Sequence, residues 1–174
     1  MPEPIRDNDT AKPRIRTVSW GDPAVGVEIA RSLNGVEFVR KIMRGEVPAP
    51  PVFNLLGFRL VKVELGEVNG ELEPAEFHYN PMGGVHGGVV STVLDSVMGL
   101  AVLSRLPLGS RFSSLEIKIN FVRGITAETG TLLAEGKIVH PGAKISTSEA
   151  RLVDRQGKLY AHGSSTCIVI RDLT

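Results

Sequence analysis

Apolar and polar positions change their period along this chain. Val27, Ile29, Ala30, Leu33, Val36, Phe38, Val39 and Ile42 recur at helical spacing, and Asn34-Gly35 divides the run into two helices. Asn34, with Glu37 three residues on, opens the second in the manner of a capping box. Pro48-Ala49-Pro50-Pro51 ends this region, and residues 52–56 have room for one more short turn. The period then shortens to two. Segments 58–68 and 71–78, with Asn69-Gly70 between them, read as a β-hairpin, because Asn-Gly suits a type I′ turn. Pro74 in the second arm points to an edge position or a bulge. Residues 86–106 predict a long helix that stops before Pro107 and Gly109. Four strands follow over 111–123, 130–140, 143–154 and 158–170, with Pro141-Gly142 and residues 154–157 as turns. In the first of these, Leu115, Ile117, Ile119 and Phe121 alternate with Ser114, Glu116, Lys118 and Asn120, the pattern of a half-buried strand.

Short connections favour antiparallel pairing, and the long helix is apolar nearly all round. The expected fold is therefore α+β, an antiparallel sheet of about six strands wrapped around one central helix. A flexible arm over residues 1–25 and a helical extension over 26–51 precede the main domain at 52–174. A chain of 174 residues suits one domain. Its net charge of +1 gives no electrostatic reason to expect nucleic acid or an anionic membrane surface as partner. Residues 89–103 are mostly apolar, but they fall short of the roughly 20 residues a bilayer needs, and Ser91, Thr92, Asp95 and Ser96 interrupt them. A core helix is the reading, not a membrane span. The one cysteine, Cys167, rules out an internal disulfide, fits a reducing, cytoplasmic setting and lies in a strand pattern as core packing. The first residues lack the apolar stretch of a secretory signal.

The chemistry concentrates around residues 80–99. Gly88, Ser91, Thr92, Asp95 and Gly99 fall on or near one helix face, a strip of small residues around a single carboxylate. A carboxylate on a buried helix costs several kcal/mol unless it is paired. That makes Asp95 a site candidate, although glycines for close helix packing and a structural hydrogen bond account equally well for the strip. Gly83, Gly84, Gly87 and Gly88 precede the helix and permit close approach of another group. Free N–H groups at the helix start, with the positive end of the dipole behind them, suit an oxyanion. His86 and Asp95 lie roughly 13 Å apart along a helix, too far to serve one small reacting group within one copy. If they cooperate, Asp95 of one subunit faces the His86-Gly87 turn of another, and function needs a dimer. His78, His86, His140 and His162 form no metal-ligand pattern, so no metal is expected. Neither a nucleotide loop nor a nucleophile elbow is present.

The ordered set Asn80, His86-Gly87-Gly88 and Asp95, followed by Phe121-Val122-Arg123, Gly130 and Asp154-x-x-Gly157-x-Leu159, resembles the hotdog-fold acyl-CoA thioesterases of the PaaI-like, phenylacetate-degradation-associated family over about residues 52–170. The resemblance implies that Asp95 is the catalytic carboxylate, as general base on water or as nucleophile. It implies that the Gly87 N–H polarises the thioester carbonyl, with Gly88 beside it. His86 would orient the turn or assist the oxyanion site, Asn80 would position water or thioester, and Ser114 would assist the water. Arg123 and Lys144 are candidates for the cationic entrance that coenzyme A phosphates need. The implied reaction needs no cofactor, since coenzyme A is part of the substrate, and the family's habit is a homodimer or homotetramer. Arg123-Gly124 departs from the family's usual Arg-Pro, and Gly99 removes any helper hydroxyl one turn after the acid. The acyl group is expected to be aromatic or medium-chain. A hydratase or dehydratase on the same fold, and a non-catalytic acyl-CoA-binding module, are the alternatives.

Overall fold

The computed structural model describes residues 14–171. Three helices lead: α1 (Pro23–Ala30), α2 (Gly35–Met43) and α3 (Pro51–Leu56). Asn34 caps α2 through its side-chain oxygen, which accepts the Glu37 N–H at 3.0 Å, so the expected break and cap are both present. α2 is strongly amphipathic and buries Val39 and Ile42. Its first residue must be glycine, because a Cβ at Gly35 would fall 1.7 Å from the Leu103 carbonyl oxygen. The flexible arm expected over residues 1–25 falls partly outside the described residues. Its described part is tied down: Arg14 pairs with Glu76, Arg16 donates to the Leu55 and Asn54 carbonyls, and Asn54 donates to the Ser19 carbonyl.

Six strands form one antiparallel sheet: β1 (Phe58–Glu64), β2 (Glu67–Leu72), β3 (Ser110–Phe121), β4 (Leu132–His140), β5 (Ile145–Asp154) and β6 (Leu159–Arg171). Their order is β1-β2-β4-β5-β6-β3, so β1 and β3 are the edges. Helix α4 (Gly87–Ser104) lies across the sheet and touches every strand. Valines are mediocre helix formers, yet burial decides here: Val93, Leu94, Val97 and Met98 are wholly inaccessible, each contributing about 1.5–3 kcal/mol. By length and composition α4 could cross a membrane, but more than half of it is buried in this fold. At Gly136 the sheet comes so close that a Cβ would sit 2.6 Å from the Val97 carbonyl. Cys167 is fully buried.

Three expectations need correction. The first hairpin turns at Leu65-Gly66, not at Asn69-Gly70: Glu64 pairs with Glu67, and Gly66 supplies the positive φ of 85°. Asn69 and Gly70 lie inside β2, and Gly70 is required because the Phe58 ring occupies the space of its missing side chain. β2 is internal rather than an edge, and it ends before Pro74; residues 76–78 form a 3₁₀ turn, so Glu76 and His78 are not strand neighbours. Finally, the alternation in β3 holds only in part. Ile119 packs against the core, and Ile117 and Phe121 share its face but stay exposed at this edge. A register shift between Ser114 and Glu116 turns Ser114 inward and leaves Leu115 exposed.

Candidate active site

The turn leading into α4 is held from three sides. Asn80 Oδ1 accepts the Met82 N–H at 2.8 Å, and the Asn80 N–H donates to the Gly84 carbonyl at 2.7 Å. The Val85 N–H donates to the Ile125 carbonyl, and the His86 N–H donates to the His78 carbonyl, both at 2.8 Å. His86 is the N-cap of α4, and its Nδ1 accepts the Gly88 N–H at 2.8 Å. This fixes the ring as a capping group with its proton on Nε2. It also settles Gly88, whose N–H is consumed by the cap. The Gly87 N–H is different: it makes no hydrogen bond among the described residues.

Gly87 borders a cleft of about 370 Å³, lined by Asn80, Val85, Val90, Phe121, Arg123 and Tyr160 among others. Phe121 covers Gly87 so closely that a Cβ there would lie 3.1 Å from its ring. Arg123 reaches across to the Leu159 carbonyl at the start of β6. Tyr160 donates to Asp154 Oδ2 at 3.3 Å, and burial, with the Asp154 charge, pushes its phenol above the ordinary range. The apolar walls Val85, Val90, Ile125 and Tyr160 carried no functional signal in the sequence, because each reads there as ordinary core.

Asp95 lies two turns along α4 from Gly87, roughly 12 Å at 1.5 Å per residue. It is half-buried rather than buried. The hydroxyls on the same face are occupied locally, Thr92 on the Gly88 carbonyl and Ser96 on the Thr92 carbonyl. Asp95 is instead met by Ser114 of β3, whose Oγ donates to Oδ1 at 3.2 Å. One turn on, the Phe112 ring packs on Gly99. β3 thus runs antiparallel alongside α4, with Phe121 against Gly87 at one end and Ser114 against Asp95 nearer the other. Lys144, in the β4–β5 turn, is exposed and does not line the cleft. A larger depression of about 640 Å³ lies on the outer sheet face, far from Asp95, among the cross-strand pairs Lys137–Glu149 and Arg151–Glu135.

A six-stranded antiparallel sheet around one long helix is the hotdog fold, and in it residues 82–161 match the model of the thioesterase superfamily. The matched stretch is just under half of the chain, and together with the fold it supports a thioester hydrolase. It is 28% identical over 124 residues to a protein of Saccharolobus solfataricus designated an esterase, covering 71% of this chain and 86% of that one. It is 25% identical over 114 residues to the 1,4-dihydroxy-2-naphthoyl-CoA hydrolase of Listeria monocytogenes, covering 66% and 91%. Among solved structures, the phenylacetic acid degradation-related protein of Ralstonia eutropha superposes with a TM-score of 0.67 at 28% identity, over 74% of this chain and 97% of that one.

Proposed function

We propose that this protein is a PaaI-like acyl-CoA thioesterase, hydrolysing the coenzyme A thioester of an aromatic or medium-chain acid to the free acid and CoA. The observation that carries the reading is the unpaired Gly87 N–H at the start of α4, opening on an apolar cleft. Such a donor, backed by the helix dipole, stabilises the oxyanion that forms when a thioester carbonyl is attacked. Asp95 is the group that delivers the attack. Ser114 engages Oδ1, leaving Oδ2 to take a proton from water, whose oxygen bonds to the carbonyl carbon. The C–S bond then breaks, and the thiolate leaves with the proton. In the alternative sequence Oδ2 attacks first, and water cleaves the resulting anhydride. Neither route calls for a cofactor or a metal. Asn80, whose Oδ1 is committed to the turn, borders the same cleft and is the candidate to position water or thioester there. Arg123 stands at the same cleft as the cation for CoA phosphate. The esterase, hydrolase and phenylacetate-related names of the similar proteins support this substrate class, and the single buried cysteine suits a reducing cytoplasm.

Asp95 and Gly87 are too far apart within one chain to act on one carbonyl, so the reading requires two copies. The exposed edge β3 supplies the contact. Antiparallel pairing of β3 with the same strand of a second copy, about a two-fold axis near the middle of the strand, brings Ser114 towards Phe121 of the partner subunit. Asp95 then lies beside the partner's Gly87. The test is thiol release from a panel of acyl-CoAs by the wild type and by Asp95→Asn. Turnover that vanishes in the variant while acyl-CoA binding persists supports the assignment. A variant as fast as the wild type refutes it, and binding without turnover in the wild type favours the acyl-CoA-binding module.

A further inference from the structure

In the sequence His78 closes the second arm of the expected hairpin, and the fold gives it a different place. It is 2% exposed and lies between α3 and the turn into α4. Its Nδ1 accepts the Ala75 N–H at 3.0 Å, so the proton sits on Nε2, which donates to the Leu56 carbonyl at 2.8 Å. Both ring nitrogens are therefore spent. The same residue's carbonyl receives the His86 N–H at 2.8 Å, and His86 in turn caps α4 beside Gly87. The chain of contacts runs from α3 through the His78 ring and carbonyl to the residue that sets the direction of the Gly87 N–H.

We propose that His78 is a positioning residue for the oxyanion donor: its neutral ring clamps Leu56 to Ala75 and so fixes the carbonyl on which the His86-Gly87 turn hangs. This rests on the thioesterase reading for its consequence in rate, and on geometry alone for the clamp. A second proton on the ring must go to Nδ1, where it would meet the Ala75 N–H donor and break the clamp. The charged surroundings oppose that protonation. Arg16 is the cation facing the ring, Glu76 on its own turn is engaged by Arg14, α3 brings no charged side chain, and α4 brings His86. Burial is the larger effect holding the imidazole below its usual range, against the pull of the Leu56 hydrogen bond.

The experiment compares the full-length wild type with His78→Leu and His78→Gln. Leucine removes both ring contacts; glutamine keeps a donor for the Leu56 carbonyl and cannot titrate. His78→Leu is expected to lower kcat about ten-fold or more with KM changed less than about two-fold, as misplacement of a catalytic donor does. His78→Gln is expected to recover most of that loss and to flatten the acid limb of the wild-type kcat profile. Amide hydrogen exchange at residues 85–88, read without substrate, should quicken in His78→Leu and return towards wild type in His78→Gln. Unchanged exchange in His78→Leu overturns the clamp, whether or not the protein is a thioesterase. Altered exchange with an unchanged kcat and acid limb overturns the catalytic consequence. Absence of turnover in the wild type, with exchange altered as expected, removes the thioesterase reading and leaves the clamp standing.

Discussion

The Gly87 N–H can be deleted without disturbing the helix that carries it, and Gly87→Pro does so. Proline lacks the N–H and is favoured at the first helical position, which Gly87 occupies. It also restricts the residue before it to extended backbone, and His86 already has φ −62° and ψ 135°. The added Cβ would lie 3.1 Å from the tip of the Phe121 ring, which needs to give by only a few tenths of an ångström. Helix stability should therefore hardly change, while the oxyanion loses a preorganised donor. Losing one such donor lowers kcat by about 10²–10³-fold, or about 2.7–4 kcal/mol of transition-state stabilisation. The assay is steady-state thiol release from the best acyl-CoA, with circular dichroism and a thermal melt to show that the fold persists. A folded variant within about three-fold of wild-type kcat would refute the role given to Gly87.

The same variant tests the division of the site between copies. Co-expressed with Asp95→Asn, it forms mixed dimers in which one site joins an intact Asp95 to an intact Gly87 and the other site carries both lesions. Random assembly of a two-fold dimer then restores roughly a quarter of wild-type activity from two inactive chains. No restoration, with mixed dimers shown to be present, would place Asp95 and Gly87 outside a shared site.

Three further outcomes follow from the packing and hydrogen bonds. Ser114→Ala frees Asp95 Oδ1 and should reduce kcat by about ten-fold, the worth of one hydrogen bond to a charged group at a partly exposed position; steady-state kinetics with an unchanged melting temperature is the check. Gly136→Ala forces a Cβ against the Val97 backbone and should cost about 1–3 kcal/mol of stability as overpacking, read from the urea midpoint. His78 binds its second proton less readily in the folded chain than its ordinary value of 6.5 allows. The unfolded chain therefore takes up more protons as pH falls, so this residue's contribution to stability is full above about pH 6.5 and is lost below it. The melting temperature should fall between pH 7 and 5 more steeply in the wild type than in His78→Gln.

The elements with an unambiguous period were legible. Helix α4 and strands β3–β6 lie within a few residues of where apolar spacing puts them, because each buries a long stretch against the others. The first hairpin was not legible, since Asn69-Gly70 offers a strong local turn signal that tertiary packing overrides: Phe58 needs the bare face of Gly70. In β3 the apolar alternation holds from Ile117 to Phe121, but the bulge after Ser114 was hidden, and it turns Ser114 rather than Leu115 towards α4. At the site, Asp95 and Gly87 stood out by residue type and spacing. That His86 caps the helix, that Ser114 is the partner of Asp95, and that Lys144 stands away from the cleft are long-range facts that no local pattern contains. The clamp at His78 joins residues 56, 75 and 86, separated in sequence and brought together only by the fold.

One strand ties the architecture to the proposed chemistry. β3 is an edge of the sheet, and exposed apolar edges invite pairing unless something covers them. It carries no proline, and although Glu116 and Lys118 charge its outer face, it displays Leu115, Ile117 and Phe121 to solvent. The same strand holds Asp95 through Ser114 and covers Gly87 with Phe121. Pairing of this edge with its own copy would therefore bury the apolar residues and bring the carboxylate to the oxyanion donor in a single event. A site built this way has no complete form in the separate chain, because the distance along α4 between Gly87 and Asp95 is fixed by the helix itself.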